Sequence, residues 1–440
     1  MFRISARFTS RFAGKGEDMK RRAGLVLTVA LAGAVLLIGC QPLTTNWSAS
    51  TDCKACHSAE TGSAYGPQVL AAQGGYEQSG HFNGPRVMVT PAVTTATGEL
   101  FESEGSNTMY TNSCGAKCHS DQGFVQYVST GTASPQSVAS QPGCFTCHKP
   151  HETGDFSLRT SSAVALVDGT TTFNSGSGNL CANCHQSLSH SVDFLATGFA
   201  TTTQSPGTPV KKWRNSDGPH HGPQSDFMMG ANSYASTTSY IVSKHINAPV
   251  NSCVGCHKYE AAVDLRGSLQ MGGHGFYLTG AVHGAQKDIT ALCVNCHTTG
   301  TTFPTTHAAA ADWDGSTGAP KDQLVEIKGL RDRLIIYFST PGNFPAGTPA
   351  PITNPAGGAL GYAFVTPSTI ELHRDFAFNP SATQAQLTLV QSQSFWNLRL
   401  YIDDNSQGIH NPTFAAQMLW DAINNLNVNA GAGITVGPRP

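Results

Sequence analysis

Cys144-Phe-Thr-Cys147-His148 is one of five copies of a pattern in which two residues separate a pair of cysteines and histidine follows at once. The other four copies are Cys53-Lys-Ala-Cys56-His57, Cys181-Ala-Asn-Cys184-His185, Cys253-Val-Gly-Cys256-His257 and Cys293-Val-Asn-Cys296-His297. A sixth copy, Cys114-Gly-Ala-Lys-Cys118-His119, has three residues between its cysteines. The six copies use 12 of the 13 cysteines in the chain, so the pattern is not a chance arrangement.

The pattern C-x-x-C-H is the attachment motif of c-type haem. The two thiols form thioethers with the porphyrin vinyl groups, and the adjacent histidine is placed to ligate the iron from one face. Disulfides and zinc sites also use paired cysteines, but neither requires a histidine directly after every second cysteine. We therefore expect six covalently bound haem c groups. Their proximal iron ligands are the histidines that end the motifs: His57, His119, His148, His185, His257 and His297.

The overall composition agrees with a chain whose interior is filled partly by cofactors. Charged residues make up 12% of the 440 residues, against roughly 25% in typical globular domains. The 46 Gly and 24 Pro residues disfavour long regular helices and strands. Because 26 Lys+Arg stand against 28 Asp+Glu, there is no basic excess, and nucleic acid is not expected as a partner.

The remaining cysteine, Cys40, follows a segment with the features of a secretory signal. A basic stretch begins at Met19, where we expect translation to start, and the apolar run behind it is too short to span a bilayer. Leu37-Ile38-Gly39-Cys40 resembles the lipobox of bacterial lipoproteins, which implies cleavage before Cys40 and lipidation of that residue. We expect residues 1–39 to be a signal peptide and 40–50 a lipidated tether to a membrane. A retained anchor helix is the alternative.

A low-spin haem iron needs a second axial ligand, and eleven histidines outside the motifs can supply it. Seven of them stand beside glycine or proline, close to a motif, or before a predicted helix: His81, His151, His220, His221, His245, His274 and His410. The sequence does not decide between the adjacent His220 and His221. Weaker candidates are His190, His283, His307 and His373, and Met228, Met229 and Met271 are alternative axial ligands.

His410 has the most informative context, because Gly408-Ile409-His410-Asn411-Pro412 predicts the start of a helix. Asn411 can cap that helix, Pro412 suits its first turn, and an apolar stripe follows. Another helix is predicted from Thr383 to Tyr401, with a turn at 403–405. The pair of helices and the His-Asn-Pro segment resemble the carboxyl-terminal region of multihaem cytochromes, including relatives of nitrite reductase, where that histidine is a distal haem ligand.

The other histidine contexts resemble those of outer-surface multihaem cytochromes from metal-reducing bacteria, over most of residues 51–430. The resemblance implies a multihaem cytochrome c fold of mostly coil and short helices wrapped around a stacked haem core, with little β structure. Residues 51–319 would form the hexahaem-binding region, and 320–440 a lid whose helical pair brings His410 to a haem. Within this lid, Leu324 to Phe338 reads either as a strand or as a short helix.

Six haems in one chain predict electron transfer as the function. We expect a conduit for the respiration of metals or other external acceptors, with other redox proteins as partners and no substrate site of its own. The alternative is a reductase of nitrite, hydroxylamine, tetrathionate or a similar small oxidant. Such a reductase needs a haem iron with an open position, and that haem is often attached at a Cys-x-x-Cys-Lys motif. The sequence contains no such motif. A second alternative is a subunit of a polymerising haem filament, and the sequence does not predict the oligomeric state.

Haem attachment in bacteria takes place outside the cytoplasm, which agrees with the export signal. Gln41, rather than Asp, follows Cys40, and by resemblance to lipoprotein sorting this favours the outer membrane. We therefore expect an exported lipoprotein at the outer membrane, on its periplasmic face or at the cell surface.

Overall fold

The computed structural model describes residues 66–82, 113–134, 141–203, 205–213, 217–220, 222–234, 239–248, 251–259, 271–282, 285–289, 291–294, 296–297, 308–345 and 385–440. Some predicted features lie outside these residues: the signal peptide and Cys40, the first motif with Cys53, Cys56 and His57, and the histidines His221, His283, His307 and His373.

The described residues of the motif-bearing part of the chain form short helices separated by turns, short strands and irregular segments, in keeping with their content of glycine, serine and threonine. In order the helices are α1 (Gly66–Tyr76), α2 (Ser113–His119), α3 (Asp121–Thr130), α4 (Cys144–Cys147), α5 (Pro150–Thr153), α6 (Gly178–Ala182), α7 (Ser191–Ala196), α8 (Gln224–Met229), α9 (Cys253–His257) and α10 (Ala291–Val294). A 3-10 turn, Lys244–Ile246, lies between α8 and α9. Helix α3 illustrates why such helices stop early: Ser120 caps its start, and Gly131 ends it at φ 79°.

The described motifs coincide with these short helices. Helices α2, α4 and α9 contain both cysteines of their motifs, and α6 and α10 contain the first cysteine of theirs. In a helix, residues i, i+3 and i+4 project from one side. The C-x-x-C-H spacing therefore turns two thiols and an imidazole toward a common neighbour.

Three small antiparallel sheets occur among the described residues. Strands β1 (Val164–Ala165) and β2 (Thr172–Phe173) form one, and β5 (Thr279–Val282) and β6 (Ala285–Asp288) form another. The third has the order β3 (Phe199–Thr202), β4 (Ser205–Trp213) and β7 (Ala385–Thr388). In the third sheet, β7 pairs with β4 from Val210↔Thr388 to Trp213↔Ala385, which ties the carboxyl-terminal region to the motif-bearing region.

Three longer helices form the carboxyl-terminal region: α11 (Gln323–Ser339), α12 (Leu389–Asp404) and α13 (Pro412–Ala430). The Asp322 carboxylate caps α11, the Thr388 hydroxyl caps α12, and the Asn411 side chain caps α13. Helix α12 ends at Asn405, whose φ is 58°, and α13 ends at Gly431, whose φ is 64°. No helix among the described residues is long and apolar enough to cross a membrane.

The largest apolar core lies between these three helices and the adjoining part of the motif-bearing region. Trp213 and Trp396 are fully buried in it, together with Phe227, Phe395 and Phe414. The Trp213 indole donates to the Ser392 hydroxyl at 3.0 Å, and the Trp396 indole donates to the Asn232 carbonyl at 2.7 Å. The carboxyl-terminal region thus shares one core with the residues before it.

Two local predictions are decided by this packing. The segment from Leu324 to Phe338, for which a strand or a short helix was expected, is the 17-residue helix α11. The helix expected from Thr383 begins only at Leu389, so that prediction was wrong at its start. Residues Ala385–Thr388 are a strand instead, because the edge of β4 offers them backbone hydrogen bonds.

We expect Asn411→Ala to destabilise the protein by about 2–4 kcal/mol, because it removes a helix cap and also leaves buried carbonyl groups unpaired. Asn411 is 2% exposed, and its amide donates to the carbonyls of Ile241, Phe227 and Met228 at 2.8, 3.3 and 3.3 Å. Urea unfolding measures the effect. The control Thr388→Ala removes a half-buried cap from α12 and should cost about 1 kcal/mol. Equal losses for the two variants would contradict this explanation.

Candidate haem-binding centre

The described cysteines of five motifs are free thiols: Cys118, Cys144, Cys147, Cys181, Cys184, Cys253, Cys256, Cys293 and Cys296. Thiols of different motifs adjoin, since Cys118 shares a hydrogen bond with Cys184, and Cys181 shares one with Cys253. The bond between Cys181 and Cys253 raises the pKa of Cys181 and lowers that of Cys253 to about 6. Burial raises the pKa of the Cys147 thiol to about 11. The motifs are therefore clustered in space.

Four motif histidines each face a histidine from outside the motifs. Between ring centroids, His185 lies 5.9 Å from His81, His148 lies 6.3 Å from His274, His297 lies 6.2 Å from His245, and His257 lies 6.3 Å from His410. All four partners are histidines that the sequence analysis selected as distal ligands. We name each pair, together with the cysteines of its motif, after the motif histidine: the His185, His148, His297 and His257 sites.

These separations fit an iron with two axial imidazoles. A metal–imidazole bond is about 2 Å long and the ligating nitrogen lies about 1 Å from its ring centre, so two rings on opposite sides of one metal have centres about 6 Å apart. Rings in direct van der Waals contact can lie closer. The motif cysteines beside each pair supply the two thiols that a c-type haem requires. The residues present therefore fit the expected group.

Hydrogen bonds at Nδ1 fix the orientation of five of these rings. The acceptors are the carbonyl of Phe156 for His148 (2.8 Å), Oε1 of Gln224 for His185 (2.9 Å), the carbonyl of Phe276 for His257 (2.9 Å), the carbonyl of Ile409 for His245 (2.9 Å) and Oδ1 of Asp404 for His410 (2.7 Å). Because carbonyl and carboxylate oxygens only accept, Nδ1 carries the proton and Nε2 keeps its lone pair. This is the tautomer of a histidine that ligates metal through Nε2.

Desolvation by the surrounding protein keeps most of these imidazoles neutral, as ligation requires. It lowers the pKa of His81, His257 and His274 to about 4, although His81 retains a solvent-accessible face. Neighbouring histidines add to this effect at all three. His410 differs: desolvation opposes its protonation, but the charge and hydrogen bond of Asp404 outweigh it and raise the pKa of His410.

Phe276 lies where three of the sites meet. Its ring centroid is 4.9 Å from that of His81 and 6.2 Å from that of His274, and its carbonyl accepts the hydrogen bond of His257. The backbone of Phe276 has φ 64°, a left-handed conformation that is rare for a bulky side chain. Gly272, in the same loop, has φ 65°, and a Cβ there would lie 2.0 Å from the Tyr259 carbonyl.

Lys258 lies at the His148 site. Its ammonium donates to Nε2 of His274 at 3.1 Å, which is the atom that the expected iron would use. Burial lowers the pKa of Lys258. Ligation by His274 therefore requires the flexible Lys258 side chain to turn aside.

The remaining candidate ligands have other surroundings. The exposed His151 ring lies 5.4 Å from the ring of Phe145, and His220 is half-buried with φ 74°. His190 precedes α7 and contacts Asp193 at 3.2 Å through Nδ1. Met228 is buried and accepts a hydrogen bond from Ser252. The structure thus brings four of the seven favoured histidines opposite motif histidines.

The Nδ1 acceptors were not predicted from the sequence. Three are backbone carbonyls, which carry no sequence signal. Gln224 and Asp404 act through side chains, and Asp404 had been assigned only to the turn before His410. A further acidic group, Asp312, Asp314 and Glu326, was also not predicted; the Lys321 ammonium contacts Asp314 at 2.8 Å and balances part of its charge.

Comparisons of the chain with protein-family models, with curated proteins and with solved structures found no match.

Proposed function

We propose that this protein is a hexahaem c-type cytochrome that conducts electrons. The observation that carries this proposal is the pairing of four motif histidines with four other histidines at the separation that one iron with two axial imidazoles requires. Both members of each pair come from positions that the sequence analysis selected independently of each other. Paired cysteines serving disulfides or zinc give no reason for such pairs.

Two axial imidazoles favour electron transfer over catalysis at these sites. A reductase of a small oxidant needs an iron with an axial position that its substrate can occupy. At the four described sites two facing histidines would together hold the iron, so these sites suit a conduit. The haem irons would supply one-electron chemistry, as haem does in other cytochromes.

The protein's own residues hold the ligands in place. At five of the eight rings the Nδ1 hydrogen bond leaves the Nε2 lone pair for ligation and restricts rotation of the imidazole. Burial lowers the pKa of His81, His257 and His274 and so favours their neutral form. The helical turns of α2, α4 and α9 keep both thiols of their motifs on the side of the motif histidine.

A conduit also requires sites that adjoin, and the four sites do. Phe276 contacts the His185, His148 and His257 sites. His245 of the His297 site donates to the carbonyl of Ile409, which directly precedes His410 of the His257 site. The His257 site therefore neighbours both the His185 and the His297 site, which supports a continuous path for electrons.

The proposed setting of this conduit rests on the amino-terminal sequence. Export and lipidation at Cys40 would hold the protein at the outer membrane, where it would exchange electrons with other redox proteins or an external acceptor such as a metal. A lipid anchor supplies membrane affinity without a spanning helix.

We expect the mature protein to carry six covalent haems and an acylated Cys40, because every motif supplies two thiols and a histidine. Intact-mass spectrometry of the protein purified from membranes measures both. Five haems would show that Cys114 and Cys118, with their longer spacing, do not attach one. Cys40→Ser should release the protein from membranes without changing the haem count.

We expect His410→Ala to convert one of six low-spin irons to a high-spin or ligand-accessible form, since the variant lacks the ring held opposite His257. All six haems should stay attached, because the thioethers do not involve His410. Low-temperature electron paramagnetic resonance and carbon monoxide binding measure the change. The control, His190→Ala, removes a histidine that belongs to none of the four described pairs and should leave the irons of those four sites unchanged. If His410→Ala leaves all irons low-spin, the assignment of His410 fails. Carbon monoxide binding by the wild type would favour the reductase reading.

A further inference from the structure

We propose that Asp404 lowers the reduction potential of the haem at the His257 site. This inference rests on the proposed function and concerns one iron within it. Asp404 acts through His410 and is therefore a positioning and tuning residue, not a ligand.

Asp404 is fixed in place at the end of α12. Its side chain is 1% exposed, and Oδ1 accepts from Nδ1 of His410 at 2.7 Å. Its other oxygen, Oδ2, accepts from the hydroxyl and the backbone N–H of Ser406. Asn405 follows in the left-handed conformation, which turns the chain so that Ser406 and His410 both reach the carboxylate. The nearby Arg399 pairs with the neighbouring Asp403 at 3.2 Å.

The acceptor at His410 differs in charge from the acceptors at the other oriented rings. His148, His245 and His257 donate to backbone carbonyls, and His185 donates to the Gln224 amide. All four of those acceptors are neutral. Among the five Nδ1 bonds described above, the bond of His410 alone ends on a carboxylate.

A buried carboxylate at this position stabilises the oxidised iron. The ferric form carries one more positive charge than the ferrous form, and a negative group acting through the imidazole in a low-dielectric interior favours the more positive state. The charge-assisted bond also increases the electron donation of His410 to the metal, as outer-shell hydrogen bonds do at other metal-bound histidines. The potential at this site is therefore lowered relative to a site with neutral acceptors.

The location of the His257 site gives this tuning a consequence for electron flow. Because the site adjoins both the His185 and the His297 site, a lowered potential there disfavours the residence of an electron between these two sites.

The test compares Asp404→Asn with wild type in the fully haem-loaded protein by spectroelectrochemical titration. At a fixed applied potential, the ferrous-to-ferric ratio of one component should rise about tenfold, equivalent to about 59 mV for a one-electron couple. The other components should stay in place. Asp404→Glu keeps the charge and should remain close to wild type. If the Asn variant does not load six haems, Asp404→Ser supplies a neutral acceptor in its stead.

Asp403→Asn is the matched control, since it removes the adjacent buried carboxylate, which pairs with Arg399 instead of a histidine. It should lower stability without moving any component. A second check is His410→Met, which has no Nδ1, so that Asp404→Asn should produce a smaller shift in that background, because only the through-space effect of the charge remains. Six haems with no component raised by Asp404→Asn would overturn this inference and leave the proposed function intact. A wild-type protein without covalent haem would overturn the proposed function itself.

Discussion

The pairing of four described motif histidines with histidines from distant parts of the chain is the constraint on which the rest of the structure depends. It joins segments that have little apolar material of their own, such as the loops around His81 and His274. The second apolar cluster of the described residues is small and centres on Val164, Leu166 and Phe173. Such short helices and two-stranded sheets bury little surface, and in the proposed haem-loaded protein a metal shared by paired imidazoles would help to hold them in a fixed arrangement. The proposed pairs would therefore stabilise this part of the fold in the way that an apolar core stabilises other proteins.

The carboxyl-terminal region follows a different principle. Its three helices bury tryptophan, phenylalanine and leucine side chains against Trp213 and Phe227, which belong to the motif-bearing region. Strand β7 adds backbone hydrogen bonds to the same contact. This core holds α12 and the start of α13 rigidly, and His410 lies in the turn between them. An ordinary core thus fixes the direction of one proposed ligand, while the other proposed ligands depend on loops and on hydrogen bonds at Nδ1.

Much of the candidate site could be predicted from the sequence, because covalent attachment demands a fixed local spacing of cysteine and histidine. The cap at Asn411 was equally local, and α13 begins at Pro412 as its residues predict. Which distal histidine meets which motif could not be predicted, since that pairing is set by tertiary packing. The start of α12 could not be predicted either, because Ala385–Thr388 pair with the edge of β4 although their residue pattern suits a helix. Carbonyl acceptors such as that of Phe276 likewise depend on tertiary packing. Residues outside the described ranges, including the first motif, keep their predictions unchanged.

The left-handed backbone of Phe276 has a consequence for how the molecule is assembled. Such a conformation costs about 1–3 kcal/mol and persists only where its surroundings require it. Here the requirement comes from three sites at once, through the rings of His81 and His274 and the Nδ1 of His257. If one of these three sites lacked its proposed haem, the loop at Phe276 would lose one of the contacts that hold its backbone and could relax. The relaxed loop would then loosen the other two sites. Under the proposed function, haem insertion at these three sites would be cooperative, and chains that lack one of these haems would be less compact than complete ones and more open to proteolysis.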